Sequence, residues 1–234
     1  MGLHLGNSGI KKVYLGNNEV SKIYLGLDLV YQNRPVGIPI EGAPNGAYIL
    51  RTDNLLYSEE LWDSKWNNEA VGIAVIDSKH PNGGFVISKD DDYVKRKYGA
   101  EKQISGVPAP ENSDGAKEVY DGELYTDKII EQDSTAEAAM YCRNYIFPNG
   151  KRGYLGASGE WWLAAINKEL VSTCLAKIGG SEIYAESDYP YISSTQKSLG
   201  GYYHFCYAMY WSGPVLDSAI KRKGCSNRPF CSLN

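Results

Sequence analysis

The sequence predicts an α+β domain preceded by a small β-repeat module, and three observations carry that prediction. A ten-residue period runs through the first thirty-odd residues. Two helix signatures, over 134–145 and 158–167, lie in the middle of the chain. After Gly180 the composition turns to Tyr, Ser, Gly and Thr, the residues of short strands and turns. Strands, then helices, then strands is the order of an α+β fold rather than of alternating βαβ units.

In the repeat, Leu5-Gly6, Leu15-Gly16 and Leu25-Gly26 recur in register, as do Ile10, Val20 and Val30. Each unit reads as a short alternating strand, such as Lys12-Val13-Tyr14-Leu15, followed by a glycine turn. A unit this small cannot bury an apolar face alone. Residues 1–34 are therefore expected to be an attachment or oligomerisation module, the alternative being a hairpin that decorates the main domain. Residues 35–46, with Pro35, Gly37, Pro39, Gly42, Pro44 and Gly46, break both periodicities and read as a linker to a domain over 47–234.

Within that domain, Ala47–Leu50 reads as a strand and Leu55 to Trp66 as a polar-aromatic stretch. Ala70–Ile76 is an unbroken apolar run, a strand buried on both faces. Pro81-Asn82-Gly83 turns the chain into a second strand at Gly84–Ser88. Asp90 to Lys97 is a charged run, and residues 99–128 read as long loops. The helix over 134–145 starts with Ser134 as cap and Glu137 three residues on. The next starts with Ser158 as cap, continues or restarts over 169–178, and stops at Gly179-Gly180. Short strands are expected around 191–195, 207–211, 219–223 and 228–231.

Several of these segments carry a family resemblance. The run Gly153-Tyr154-Leu155-Gly156-Ala157-Ser158-Gly159-Glu160-Trp161-Trp162 resembles a "G-Y-L-P-S/A-x-G-E" helix start of bacterial and phage proteins. Ala138-Ala139 with Cys142 and Tyr145 is similar to the helix before it. Ser193-Ser194-Thr195-Gln196 resembles a "W-S-S-T" turn, and Arg228-Pro229-Phe230 an "R-x-R-P-F" closing strand. The departures are Ile192 in place of Trp and Gly156 in place of Pro. On these residues the domain resembles the formylglycine-generating-enzyme branch of the C-type lectin fold, which includes the variable proteins of diversity-generating retroelements. The resemblance implies two helices with antiparallel sheets and long loops. It also implies a variable ligand-binding C-terminal surface, on a phage tail or, alternatively, a bacterial cell surface.

Composition narrows the function classes. The formal charge is −4 with acids and bases mixed, so no basic stripe awaits nucleic acid. No apolar run approaches a membrane span, and Met1 to Gly9 lacks the pattern of an export signal. Met1-Gly2 lacks the Ser or Thr of a myristoylation signal, since Gly6 stands there. Cys142, Cys174, Cys206, Cys225 and Cys231 match no zinc spacing and are expected as reduced thiols, with a Cys206–Cys225 or Cys225–Cys231 disulfide as the alternative.

Catalysis finds little material. His80 reads as a turn residue, and His204 has no acid nearby in sequence to orient it. Asp90-Asp91-Asp92 lacks the glycine and downstream glutamate of a calcium loop and reads as a solvated turn. No cofactor or metal is expected. Tyrosine is abundant, 19 copies against 4 Phe, and its rigid apolar body with a polar tip suits binding surfaces. Tyr202, Tyr203, His204, Phe205, Cys206 and Tyr207 form a run that does not alternate, so they cannot all enter one core. The expected ligand-binding surface is this run with Tyr210, Ser212, the loop residues Leu216, Asp217 and Ser218, and Cys225. Trp161, Trp162 and Trp211 read as core. The expected partners are a host cell-surface protein or glycan and further copies of the chain, as a trimer.

Overall fold

The Leu-Gly repeat forms two-stranded hairpins. β1 (Tyr14–Leu15) pairs antiparallel with β2 (Asn18–Glu19), and β3 (Lys22–Leu25) with β4 (Asp28–Gln32). Among the described residues, Leu15 and Leu25 each end the first strand of a hairpin pair. The computed structural model describes residues 37–184 and 190–233 and, before them, the backbone of these four strands; the first copy at Leu5-Gly6 lies outside the described residues.

The chain divides into two units between Val36 and Gly37. The second begins inside the expected linker, because β5 (Ile38–Pro39) pairs with β7 (Leu55–Tyr57) at the edge of the main sheet. β6 (Gly46–Arg51) precedes β7. Two short 3-10 turns, Glu59–Leu61 and Ser64–Glu69, then lead to β8 (Ala70–Ile76) and β9 (Gly84–Ser88). The helices are α1 (Ser113–Ala116), α2 (Gly122–Gln132), α3 (Glu137–Asn144), α4 (Ser158–Ile166) and α5 (Lys168–Lys177), with β10 (Tyr154–Leu155) before α4. β11 (Tyr191–Leu199), β12 (Tyr202–Tyr210), β13 (Val215–Ile220) and β14 (Pro229–Ser232) end the chain. They form an α+β fold with a seven-stranded antiparallel sheet, ordered β10-β14-β9-β8-β6-β7-β5, and a separate three-stranded sheet β11-β12-β13.

β8 is fully buried, as its unbroken apolar run requires. Ile73 and Val75 enter one apolar cluster; Ala74 and Ile76 enter another across the sheet. The larger cluster centres on Trp161 of α4, whose ring lies 4.8 Å from Phe230, 5.0 Å from Tyr191 and 6.3 Å from Trp211. Trp162 differs from the expectation. It is only partly buried and carries the Lys117 ammonium 4.4 Å above its ring. Gly156 lies flat on Phe230, where a side chain would put a Cβ 2.9 Å from the ring.

Other expectations are corrected. Residues 99–128 are not all loop: α1 and α2 occupy much of them, with Asn112 and Asp121 as side-chain caps. Ser134 does not cap α3, which starts at Glu137 after Ala136. Asp133 organises that corner instead, accepting from the Thr135 amide at 2.9 Å and its hydroxyl at 2.7 Å. The Ser158 hydroxyl is not a cap either; it donates to the Ala116 carbonyl at 2.6 Å and lies 2.9 Å from the Thr195 hydroxyl. The Glu160 carboxylate caps the backbone there, taking the Ala157 N–H at 2.6 Å. The stretch 214–218 is largely strand, since β13 starts at Val215.

Asp91 is buried rather than solvated. It faces the Arg228 Nε at 3.5 Å and accepts the Tyr191 hydroxyl at 2.9 Å. The flanking Asp90 accepts from Tyr145 at 3.0 Å, and Asp92 pairs with Arg96. The five cysteines are all unpaired and buried.

Candidate ligand-binding surface

β12 decides which expected residues can meet a ligand. Its second half runs between two apolar clusters. Tyr207 and Met209 enter the one around Trp161, while Cys206 and Ala208 enter one built with Ile129, Ala139 and Leu155. A strand between two cores needs no polar face, so the unalternated run is buried there on both sides. Cys206 and Tyr207 are therefore not surface residues. Leu216 and Cys225 are also buried, the former in the Trp161 cluster. The Tyr207 hydroxyl is satisfied by the Pro110 carbonyl at 3.2 Å, and burial pushes its pKa up to about 12.

The first half of β12 projects beyond the cores. Gly200 and Gly201, at φ 59° and 86°, close a two-residue turn between β11 and β12. Positive φ at both central residues matches the twist of a tight hairpin, and glycine adopts it without steric cost. Beyond it Tyr202 is 66 % exposed, His204 is exposed, and Tyr203 and Phe205 are half-buried. The Tyr202 and His204 rings stack at 6.1 Å. His204 does have an acid. The Glu101 carboxylate lies 2.8 Å from its Nδ1 and 2.9 Å from the Arg222 Nε. No local sequence signal could link Glu101 to His204, which approach only through tertiary folding.

The expected surface is thus split. Tyr202 and Tyr210 stand at opposite ends of β12, roughly 26 Å apart for a strand rising ~3.3 Å per residue. Ser212 lies past the far end, exposed, with its carbonyl bound by the Lys168 ammonium at 3.1 Å. Tyr210, Ser218 and Cys225 line a separate cleft together with Lys95 and Lys223. Asp217 beside it is exposed, holds the Ser218 amide at 2.6 Å and pairs with Lys197 at 3.5 Å.

A third cluster was not foreseen. His80 is buried, not a simple turn residue, and its Nε2 lies 3.3 Å from the Glu160 carboxylate. The Asn82 amide donates to its Nδ1 at 3.2 Å, so the ring proton sits on Nε2. The Tyr154 hydroxyl donates to the same carboxylate at 2.7 Å. Burial pushes the Glu160 carboxyl above its usual range, against the hydrogen bonds from His80, Ala157 and Tyr154 that favour its ionised form. The adjoining crevice has about 30 Å³ of space, enough for a water and not for a substrate. Both carboxylate oxygens are occupied in tying α4 to β9's turn and to β10, which makes the cluster a structural one.

All five thiols are pushed above their ordinary pKa by burial. Thiols in that state are poor nucleophiles. Among the described residues there is no cluster of His, Cys, Asp or Glu that could hold a metal ion, and no helix long and apolar enough to cross a membrane. The chain matches no protein-family model, no curated protein and no solved structure.

Proposed function

We propose that this chain is a receptor-binding protein of a bacteriophage tail. In this reading a C-type lectin scaffold of the formylglycine-generating-enzyme-like branch displays a variable C-terminal surface to a host-surface protein or glycan. The observation that carries the reading is the projecting half of β12. There Tyr202, Tyr203, His204 and Phe205 reach solvent on a hairpin whose other half is clamped between two cores. Exposed aromatics on a rigid support are what a binding surface needs, because little ordering entropy is lost on contact. Antiparallel sheets, helices and long loops agree with the lectin-like scaffold. Binding is preferred to catalysis because the thiols are buried and Glu160 is fully engaged. The hairpins of the N-terminal unit would join copies into a trimer, multiplying weak single contacts.

Attachment of the fluorescently labelled chain to whole bacterial cells tests the reading. A Tyr202→Ser/Tyr203→Ser/Phe205→Ser variant should keep its fold and lose attachment. Retention of attachment by that variant would place the ligand elsewhere. For assembly, sedimentation of the full chain should give a trimer that removal of residues 1–34 dissociates. A monomer in both forms would refute the assembly role.

A further inference from the structure

The aromatic tip of β12 carries polar contacts that join three segments of the chain. The Glu101 carboxylate holds His204 through Oε2, 2.8 Å from Nδ1, and Arg222 through Oε1, 2.9 Å from Nε. His204 stands on β12, Arg222 in the turn after β13, and Glu101 in the loop before α1. Hydrogen bonds fix each segment. The Lys221 amide donates to the His204 carbonyl at 3.0 Å, and the Lys223 amide to the Ile220 carbonyl at 2.9 Å, closing the turn around Arg222. The Tyr98 amide donates to the Lys221 carbonyl at 3.0 Å, and the Ala100 amide to the Asp133 carboxylate at 2.5 Å. On the other side of Glu101, the Lys102 carbonyl accepts from the buried Lys221 ammonium at 2.6 Å. Such a frame sets the side chains before a ligand arrives, which lowers the cost of binding.

The frame presents hydrogen-bonding atoms of both kinds. A carboxylate only accepts, so the His204 Nδ1 carries a proton and Nε2 of the neutral ring presents a lone pair. The Arg222 side chain is 76 % exposed, and its two terminal nitrogens have no partner among the described residues. They form a planar fork of donors. Glu101 balances the guanidinium charge at 2.9 Å, so the fork offers directed hydrogen bonds more than net charge. An anionic ligand would bring only acceptors and would meet the Glu101 carboxylate. A hydroxylated, uncharged ligand can use the donors and the acceptor together. The rings supply the apolar half of the site. Tyr202 and His204 lie on the same side of the strand, their planes within 23° of each other. The exposed Tyr202 ring is an apolar face with a polar tip, suited to the C–H face of a pyranose. Both Glu101 oxygens are held by protein donors, so the contact is direct rather than bridged by a cation.

We infer that this tip binds a neutral pyranose of a surface glycan, its C–H face on Tyr202 and its hydroxyls shared between the Arg222 fork and the His204 Nε2. The inference rests on the receptor-binding reading and selects glycan over protein as the ligand. Titration calorimetry of the full chain with the methyl glycosides of glucose, galactose, mannose and N-acetylglucosamine, and with glucuronic acid, tests it. At least one neutral glycoside should bind, more tightly than glucuronic acid and equally well in EDTA. Arg222→Met should weaken that glycoside by about tenfold, the worth of one hydrogen bond from a charged group, with an unchanged melting temperature. Tyr202→Ser should weaken it as well. Absence of binding by all four glycosides, tighter binding of glucuronic acid, loss of binding in EDTA, or affinity unaltered by both substitutions would overturn the inference. Attachment to cells that survives periodate oxidation but not proteinase treatment would also overturn it. That outcome names a protein ligand and leaves the receptor-binding reading standing. Glycoside binding without attachment to any cell would defeat the receptor-binding reading alone.

Discussion

Asp91 and Arg228 face each other at 3.5 Å with both side chains sealed from solvent. The Arg228 guanidinium also donates to the carbonyls of Ser181 at 2.9 Å and Glu182 at 3.1 Å, binding the start of β14 to the segment that precedes β11. Its Nε has no hydrogen bond and relies on the charge of Asp91. Removing one member of a buried pair leaves the other charge uncompensated, at a cost of about 3–5 kcal/mol. Arg228→Met and Asp91→Asn should each lower stability by that order in urea unfolding. The double variant should lose less than the sum of the two. Losses below about 1 kcal/mol in both single variants, the level of an exposed pair, would contradict this account.

Along β12 the cost of substitution should rise from the tip inward. Tyr202→Ser should change stability by no more than about 0.5 kcal/mol, the usual range for exposed positions. Tyr207→Ala and Trp161→Ala should each cost about 3–5 kcal/mol, as for buried aromatics. Trp162→Ala should cost less than Trp161→Ala. Thermal melts of the four variants read this directly; a flat profile from Tyr202 to Tyr207 would mean that the strand is not divided between surface and core.

The Gly200-Gly201 turn should be intolerant of side chains. Gly200→Ala forces an L residue to φ 59°, at a cost of about 1–2 kcal/mol. The loss should appear in urea unfolding. A neutral effect would show that the hairpin closes by another turn.

Lys221 gives a pH signature. Burial lowers its pKa from the ordinary 10.5 to about 8, with Cys206 and Asp133 opposing the shift and Lys102 adding to it. Its ammonium donates to the Gln196 Oε1 at 2.7 Å and the Lys102 carbonyl at 2.6 Å. Below pH 8 folded and unfolded chains both hold the proton, and the burial penalty is fully present. Between about 8 and 10.5 the unfolded chain binds more protons, so this residue's contribution to stability improves as pH rises. The buried thiols, with raised pKa values, act oppositely in the alkaline range. The comparison is therefore with Lys221→Met: wild type should gain on the variant across that window in urea unfolding. A pH-independent difference would refute the shift.

How much of this was legible in the sequence depended on whether the signal was local. β8 could be read from Ala70–Ile76 because an unbroken apolar run in a short segment implies burial on two faces. α4 could be read from the Ser158-to-Asn167 run, although the cap was misplaced: Glu160 takes the Ala157 N–H where Ser158 was expected to cap. α2 was missed because its buried face is Gly122, Thr126 and Ile129, too weakly apolar to show a helical period. The aromatic run was half misjudged for a different reason. Alternation tests whether a strand borders one core, and β12 passes between two. The cleft was legible only in part: Tyr210, Ser218 and Cys225 were singled out, but Lys95 and Lys223 become neighbours through the Arg96–Cys225 pairing, which no short-range pattern announces.

The five buried thiols give the fold an internal set of clocks. Cys174 lies in the Trp161 cluster, Cys142, Cys206 and Cys225 in the cluster with Ile129 and Leu155, and Cys231 in the cluster with Ala74 and Ile76. Each can react with an alkylating reagent only when its own part of the protein opens, since burial suppresses the thiolate in the closed state. The order in which they become modified in native buffer ranks the three cores by local stability. It also reveals whether the clamped half of β12 loosens before or after the sheet that holds β8.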